Sequence, residues 1–475
     1  ESTQKYPAVI QGGMGAGVSD WRLARAVARA GQMGVVSGTA IDLIMTRRLQ
    51  EGDPGGHMRR ALEQFPEPEI AGRVCERYFI PGGKRPNEPY KSIPRYCIKP
   101  KQSLLELTMV ANFAEVWLAK EGHNGPIGIN LLEKIQLPNL VSLYGAMLAG
   151  VDFVLMGAGI PREIPGAIDR LARHGEASLR IHVADAPKDE CFQMRFEPRK
   201  LIPRKLPPLK RPGFLAIVSS VTLALTLMKK ATGKVDGFIV EGASAGGHNA
   251  PPRGPLQLQE NGEPSYGPKD KVDLSRIKDL GLPFWVAGSC ADPATLRKMK
   301  VEGAQGIQAG TLFAFCEESG LAEDIKRAVR RKAARGEALV FTDPFASPTR
   351  FPFKVVRLEG TVSEPDTYEE RPRMCDLGYL QEIYCRGDGT LGNRCAAEPV
   401  ADYLKKGGDR EETEGRKCLC NALLANIGLP QVRRSGYSEK PLVTSGDGVN
   451  EIARFLGNGK TSYTAREVVR YLLDQ

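Results

Sequence analysis

Eight short apolar runs of strand length recur along the chain, most of them followed by an amphipathic stretch of helix length. They are Ala8-Val9-Ile10, Met33 to Val36, Ile127-Gly128-Ile129, Phe153 to Met156, Leu215 to Val218, Phe238-Ile239-Val240, Phe284-Trp285-Val286 and Gly306-Ile307-Gln308. Hydrophobicity that is unbroken rather than alternating belongs to strands buried on both faces, as in a parallel sheet. Eight such units predict an α/β fold, a (β/α)8 TIM barrel. The doubly wound open sheet is the competing arrangement. A ninth run, Leu179 to Val183, reads as an accessory strand.

Two segments interrupt the rhythm. Residues 65–102 contain the Pro/Gly-rich Ile80 to Pro86, and residues 185–213 are proline-rich and basic. Both are expected at the surface as loops or lids. The second is either a solvated arm or a contact for an anionic tail such as a phosphopantetheine or CoA phosphate. Beyond about Arg335 the β-α alternation stops. Residues 1–345 are therefore read as the barrel with its two insertions, and 346–475 as a mainly helical, cysteine-containing region packed on it.

A formal charge of +10 over 475 residues favours anionic partners without singling out nucleic acid, and neither clustered aromatics nor a repeat code supports that role. The longest charge-free stretches, Ile135 to Val151 and Pro212 to Met228, are too short and too polar to span a bilayer comfortably. Ten cysteines at this length are not a disulfide scaffold, so a reducing, cytoplasmic setting is expected. Cys375, Cys385, Cys395, Cys418 and Cys420 crowd the C-terminal region, but only Cys418-Leu419-Cys420 is closely spaced. Reduced structural thiols are the preferred reading there, an iron–sulfur or zinc site the alternative, and no metal ligands are assigned. Cys290 reads as small-residue packing, and Cys75 and Cys97 bracket the first insertion as candidates to close it.

The candidate site lies in the glycine-rich strand ends. Gln11-Gly12-Gly13-Met14-Gly15 follows the first run, Glu241 to His248 the sixth, Ala287-Gly288-Ser289-Cys290 the seventh and Ala309-Gly310-Thr311 the eighth. Glycine there lets backbone approach a flat ligand, and the last two βα loops of such a barrel are a usual place for a phosphate. Of five histidines only His248 sits in a glycine cradle, where an imidazole can move a proton near neutral pH. His57, His123, His174 and His182 read as surface or satisfied core residues.

In that order Q-G-G-M-G, G-I-N at Gly128 to Asn130, A-G-G-H at Ala245 to His248, A-G at Ala287-Gly288 and Q-A-G-T at Gln308 to Thr311 resemble the flavin-dependent nitronate monooxygenase (2-nitropropane dioxygenase) family, which adjoins the FMN-dependent enoyl-acyl-carrier reductases. The resemblance spans roughly residues 7–353. It implies an FMN-binding barrel in which Gly12, Gly13 and Met14 back the isoalloxazine, and Asn130 and Glu241 reach its polar edge. Gly246, Gly247, Gly288, Gly310 and Thr311, with the neighbouring Ala287 and Ala309, would hold the ribityl phosphate, and His248 would be catalytic. Nitronate monooxygenases usually read E-A-G-G-H, whereas Ser244 stands where that glutamate would be.

The implied activity is an FMN-dependent oxidoreductase with His248 as a proton shuttle beside flavin N5. The alternatives are an NAD(P)H-dependent FMN enoyl-thioester reductase and a non-enzymatic flavin binder. The expected partners are a small-molecule substrate or an acyl thioester, with neither nucleic acid nor membrane; homo-oligomerisation is left open.

Overall fold

The structure is a computed structural model. It describes residues 6–457 and 459–474, so the first five residues of the expected barrel region and Asn458 and Gln475 of the expected C-terminal region lie outside it. Eight parallel strands, β1 (Val9–Gln11), β2 (Gly34–Ser37), β3 (Ile127–Leu132), β4 (Phe153–Gly157), β5 (Gly213–Val218), β6 (Gly237–Glu241), β7 (Phe284–Ala287) and β8 (Gly306–Ala309), run in the order β1-β8-β7-β6-β5-β4-β3-β2. The seam closes because Gln11 N donates to Met33 O at 2.9 Å and Met33 N to Val9 O at 3.1 Å. The buried Gln11 side chain reinforces it, Oε1 accepting from Val35 N at 3.0 Å. The sheet is therefore a closed (β/α)8 barrel, and the open-sheet alternative is excluded. Closure removes both sheet edges, which is why such short strands suffice.

All eight apolar runs became barrel strands. Ile10, Met33, Val35, Phe153, Leu155, Leu215, Ile239 and Trp285 pack together as one cluster of inward-facing side chains. The Trp285 indole still finds a partner, Nε1 donating to Pro7 O at 2.9 Å. Helices follow the strands, among them Trp21–Arg29, Asn139–Leu148, Ile164–Leu171, Val221–Lys230 and Pro293–Val301. The first is capped by Asp20, whose carboxylate accepts from the Arg22 and Leu23 amides. The accessory run is Ala177–Ile181, paired antiparallel with Phe192–Phe196 outside the barrel.

The insertions differ from the loops expected. In the first, Ile70, Ala71, Val74 and Tyr78 recur on one face and are buried, so the chain makes a helix, Pro68–Tyr78, that docks rather than floats. Further on, Gln431 clamps Tyr90, its Oε1 accepting from Tyr90 N at 2.8 Å and its Nε2 donating to Tyr90 O at 3.2 Å. Cys75 and Cys97 do not close this segment, since both are free thiols. In the second insertion Lys210 and Arg211 pair with Asp152, Asp169 and Asp236 beside the N-terminal ends of β4 and β6. That is the end of the barrel opposite the glycine loops, so these two charges bind neighbouring carboxylates there.

Residues 346–475 contribute the hairpin Glu382–Cys385 with Leu391–Arg394 and the helices Pro365–Glu370, Val400–Lys405, Leu419–Asn426 and Ala465–Leu472. Val443, Val449, Ile452, Tyr463, Val468 and Leu472 share the main hydrophobic core with the barrel helices. Among the described residues no helix is long and apolar enough to cross a membrane.

Candidate active site

At the C-terminal ends of the strands lies a cavity of about 650 Å³. Gly12, Gly13, Met14, Asn130, Glu241, Gly246, Gly247, His248, Ala287, Gly288, Ala309, Gly310 and Thr311 all line it. Every residue singled out in the sequence is thus brought to one chamber, although Gly12 and Thr311 are far apart in the chain.

The loop after β1 is tied down by Ser19. Its hydroxyl donates to Gly12 O at 2.8 Å and accepts from Met14 N at 2.9 Å and Gln11 Nε2 at 2.8 Å. Gly13 presses against Asn130, and a Cβ at Gly13 would sit 2.4 Å from the Asn130 Cβ. Asn130 Nδ2 donates to Gly13 O at 3.1 Å, and its Oδ1 has no protein partner; nor has Gln308 Oε1, also on the cavity wall. Buried carbonyl oxygens left in this way suit a ligand bearing N–H donors.

The loop after β6 is held on both sides. Gly247, at φ +80°, donates its amide to Thr444 Oγ1 at 2.9 Å and accepts at its carbonyl from Lys354 N at 2.9 Å. Asn249 N donates to Pro352 O at 2.9 Å, so His248 lies in a short antiparallel bridge with Phe353. The imidazole packs edge-on against Phe353, ring centroids 4.8 Å apart, and its Nε2 is 2.7 Å from Ser347 Oγ. Burial, together with the Lys134 charge, holds His248 well below the ordinary imidazole range. Burial likewise raises the Glu241 carboxyl to about 7, against an opposing pull from Lys134. After β7, Gly288 at φ +97° and Ser289 at φ +45° form a turn that an ordinary side chain strains to enter.

The other histidines are accounted for without chemistry. His174 is bonded to Tyr144 OH and Pro207 O, His123 to Ala119 O, and His57 packs on Trp21. His182 is exposed. Burial pushes the Cys290 thiol up to about 12, in keeping with a packing role. All ten cysteines are free, and among the described residues no group of three or more His, Cys, Asp or Glu side chains is placed to hold a metal ion.

Sequence reasoning missed much of the wall. Thr444 to Gly448, Glu451 and Arg454, along with Tyr379, Leu380, Cys420, Leu423 and Leu424, reach the cavity from the C-terminal region. Arg454, ion-paired with Glu451 on the same wall, lies within electrostatic reach of Asp292. Lys134, just beyond β3, lies within electrostatic reach of both Glu241 and His248. Nothing in the local pattern around these residues marked them out.

The family model described as nitronate monooxygenase matches residues 206–413, which run from before β5 through β8 into the C-terminal region. Among curated proteins, a nitronate monooxygenase of Paraburkholderia phytofirmans is 28% identical over 188 residues, 39% of this chain and 48% of that protein. One from Pseudomonas aeruginosa is 26% identical over 180 residues, 38% of this chain and 45% of that protein. The matched segments thus span under half the length of these relatives. Among solved structures, that of FabK from Thermotoga maritima aligns with a TM-score of 0.48 at 14% identity, covering 99% of this chain and 92% of that one. The matched residues hold the glycine loops after β6, β7 and β8 together with His248, and over that stretch the chain is similar to nitronate monooxygenases.

Proposed function

We propose that this protein is an FMN-dependent oxidoreductase in which His248 moves a proton to or from a substrate carbon. The observation that carries the reading is the convergence of the glycine loops of β1, β6, β7 and β8 on one cavity whose wall also holds the unpartnered Asn130 Oδ1 and Gln308 Oε1. Those oxygens accept from a ring bearing N–H groups, the turns at Gly288 and Gly310 offer backbone amides to a phosphate, and Arg454 adds a positive charge. Bound FMN would supply the electron-accepting and electron-donating ring. Burial and the Lys134 charge disfavour the imidazolium at His248, which suits it to enter the reaction as a base. Phe353 and the bond to Ser347 fix its ring in one plane.

A second reading, reduction of an enoyl thioester with NAD(P)H as electron donor, is favoured by a further cavity of about 300 Å³. It meets the first at Ile135, Tyr379 and Leu380 and is lined by Ile93, Tyr96, Leu137 and Phe351, room for an acyl chain.

The test is paired. Purified protein should be yellow, and His248→Asn should retain flavin while losing about 10²- to 10⁴-fold in turnover of a nitronate with O₂ or of a crotonyl thioester with NADPH. Fast anaerobic bleaching by NADPH supports the reductase, slow bleaching the monooxygenase. Colourless protein that takes up no FMN would overturn both.

A further inference from the structure

A run of side chains leads away from His248. Its Nε2 lies 2.7 Å from Ser347 Oγ, which lies 2.8 Å from Thr349 Oγ1, and Lys134 Nζ donates to that hydroxyl at 3.3 Å. Ser347 is fully buried. His248 lines the first cavity, whereas Lys134 and Thr349 line the second, so the run crosses the wall between them. We propose that Ser347 and Thr349 form a proton relay joining His248 to Lys134, with Lys134 as the positioning residue that takes or returns the proton His248 exchanges with substrate. The inference rests on the proposed role of His248 and extends it.

The donors and acceptors balance in either direction. Ser347 Oγ already accepts from Thr349 N at 3.2 Å, leaving it one lone pair and one proton to share. With Lys134 charged, the ammonium donates to Thr349, Thr349 to Ser347, and Ser347 to His248 Nε2, which puts the imidazole proton on Nδ1. With Lys134 neutral, the run reverses: Nε2–H donates to Ser347, Ser347 to Thr349, and Thr349 to the amine. A proton arriving from a substrate C–H bond at Nδ1 is then matched by one leaving Nε2, and it ends as the third N–H of Lys134. The electron pair of the broken C–H bond stays with the substrate carbon.

The surroundings give the relay a reason. Burial and the lysine charge disfavour an imidazolium at His248, so a proton taken up there must be passed on. Burial also lowers Lys134 to about 7, with Glu241 pulling the other way, so it can hold or release a proton near neutrality. The ammonium sits over the Phe351 ring at 4.3 Å. The other charges around the run are engaged. Glu133 is held by Gln136, Arg350 pairs with Glu412, Lys354 with Asp447, and Arg416 donates to the Ser347 carbonyl at 2.9 Å.

The relay is tested with Thr349→Val, which cuts it at matched size and leaves Lys134 in place, and with Lys134→Met. In ¹⁵N-histidine-labelled protein, His248 is assigned by the signals lost in His248→Asn. Its ring nitrogens should show a transition near pH 7, from the Nδ1–H to the Nε2–H tautomer as Lys134 loses its proton. Thr349→Val should abolish that transition, with or without flavin. In turnover of propyl-2-nitronate or a crotonyl thioester, both variants should lose at least about tenfold in kcat/KM and the limb of the pH profile near 7. The double variant should be no worse than either single one. Ring signals that are flat from pH 6 to 8 in the parent, or a transition surviving in Thr349→Val, would overturn the relay. In that event a large loss in His248→Asn would leave the proposed function standing, whereas full turnover in His248→Asn would remove the function itself.

Discussion

The amide of Gly446 donates to the hydroxyl of Thr311 at 3.0 Å, joining the C-terminal region to the second residue beyond the last barrel strand. A side chain at Gly446 would sit 2.9 Å from both that hydroxyl and the Ser244 carbonyl, so three loops meet here without room to spare. Thr311→Val keeps the shape and removes the acceptor from a partly buried amide, which costs about 1–3 kcal/mol. Flavin should be held roughly tenfold or more weakly in this variant, read from fluorescence on release into dilute protein. An unchanged dissociation constant would separate the junction from the cavity.

Gly288 is the sharper test of the phosphate turn. Its φ of +97° excludes a β-branched residue, and a Cβ would lie 3.0 Å from Ser244 Oγ. Gly310 differs: it has an ordinary negative φ, and its Cβ would meet the flexible Met14 Sδ at 3.3 Å. Gly288→Val should give folded, colourless protein, whereas Gly310→Ala should keep most of its flavin. Circular dichroism and absorbance at the flavin band compare them; full flavin in Gly288→Val would move the phosphate elsewhere.

Arg454 offers a way to separate charge from shape. Replacing it with Gln removes the cation from the cavity wall while keeping much of the stem. Binding of FMN should weaken by about 10- to 100-fold, and binding of riboflavin, which lacks the phosphate, should change little. Equal losses for the two ligands would show that Arg454 acts by packing.

Glu241 carries a pH signature. Its folded value near 7 lies above the ordinary 4.5, so folded protein binds the extra proton between these limits. Its contribution to stability is therefore full below about pH 4.5 and is lost as pH rises toward 7. Glu241→Gln has no such proton to lose. Compared with the parent, it should gain stability from pH 5 to pH 7, by up to about 3 kcal/mol. Urea unfolding of the flavin-free proteins measures the difference, and parallel curves would place the carboxylate in a more open setting.

How much of this was legible follows from where the information resides. The strands could be read because burial on both faces leaves an unbroken apolar run, and the glycine loops because close backbone approach is a local demand. Gln11 could be seen as part of a motif but not as the clasp of the β1–β2 seam, since its partner Val35 lies a helix away. Lys134 follows Glu133 in a polar stretch that reads as surface, and only the docking of residues 347–351 over it buries the amine. Arg454 and Thr444 were hidden for the same reason: their neighbours across the cavity are set by tertiary packing, which no local period records.

The chamber wall begins at Gly12 and is finished by Arg454. A chain emerging from the ribosome therefore completes its eight strands well before it owns a closed pocket. Whatever ligand the chamber holds is enclosed on all sides only once the residues up to Arg454 have folded against the barrel. A segment ending after the eighth strand would hold all the barrel strands and still leave the mouth of the chamber open.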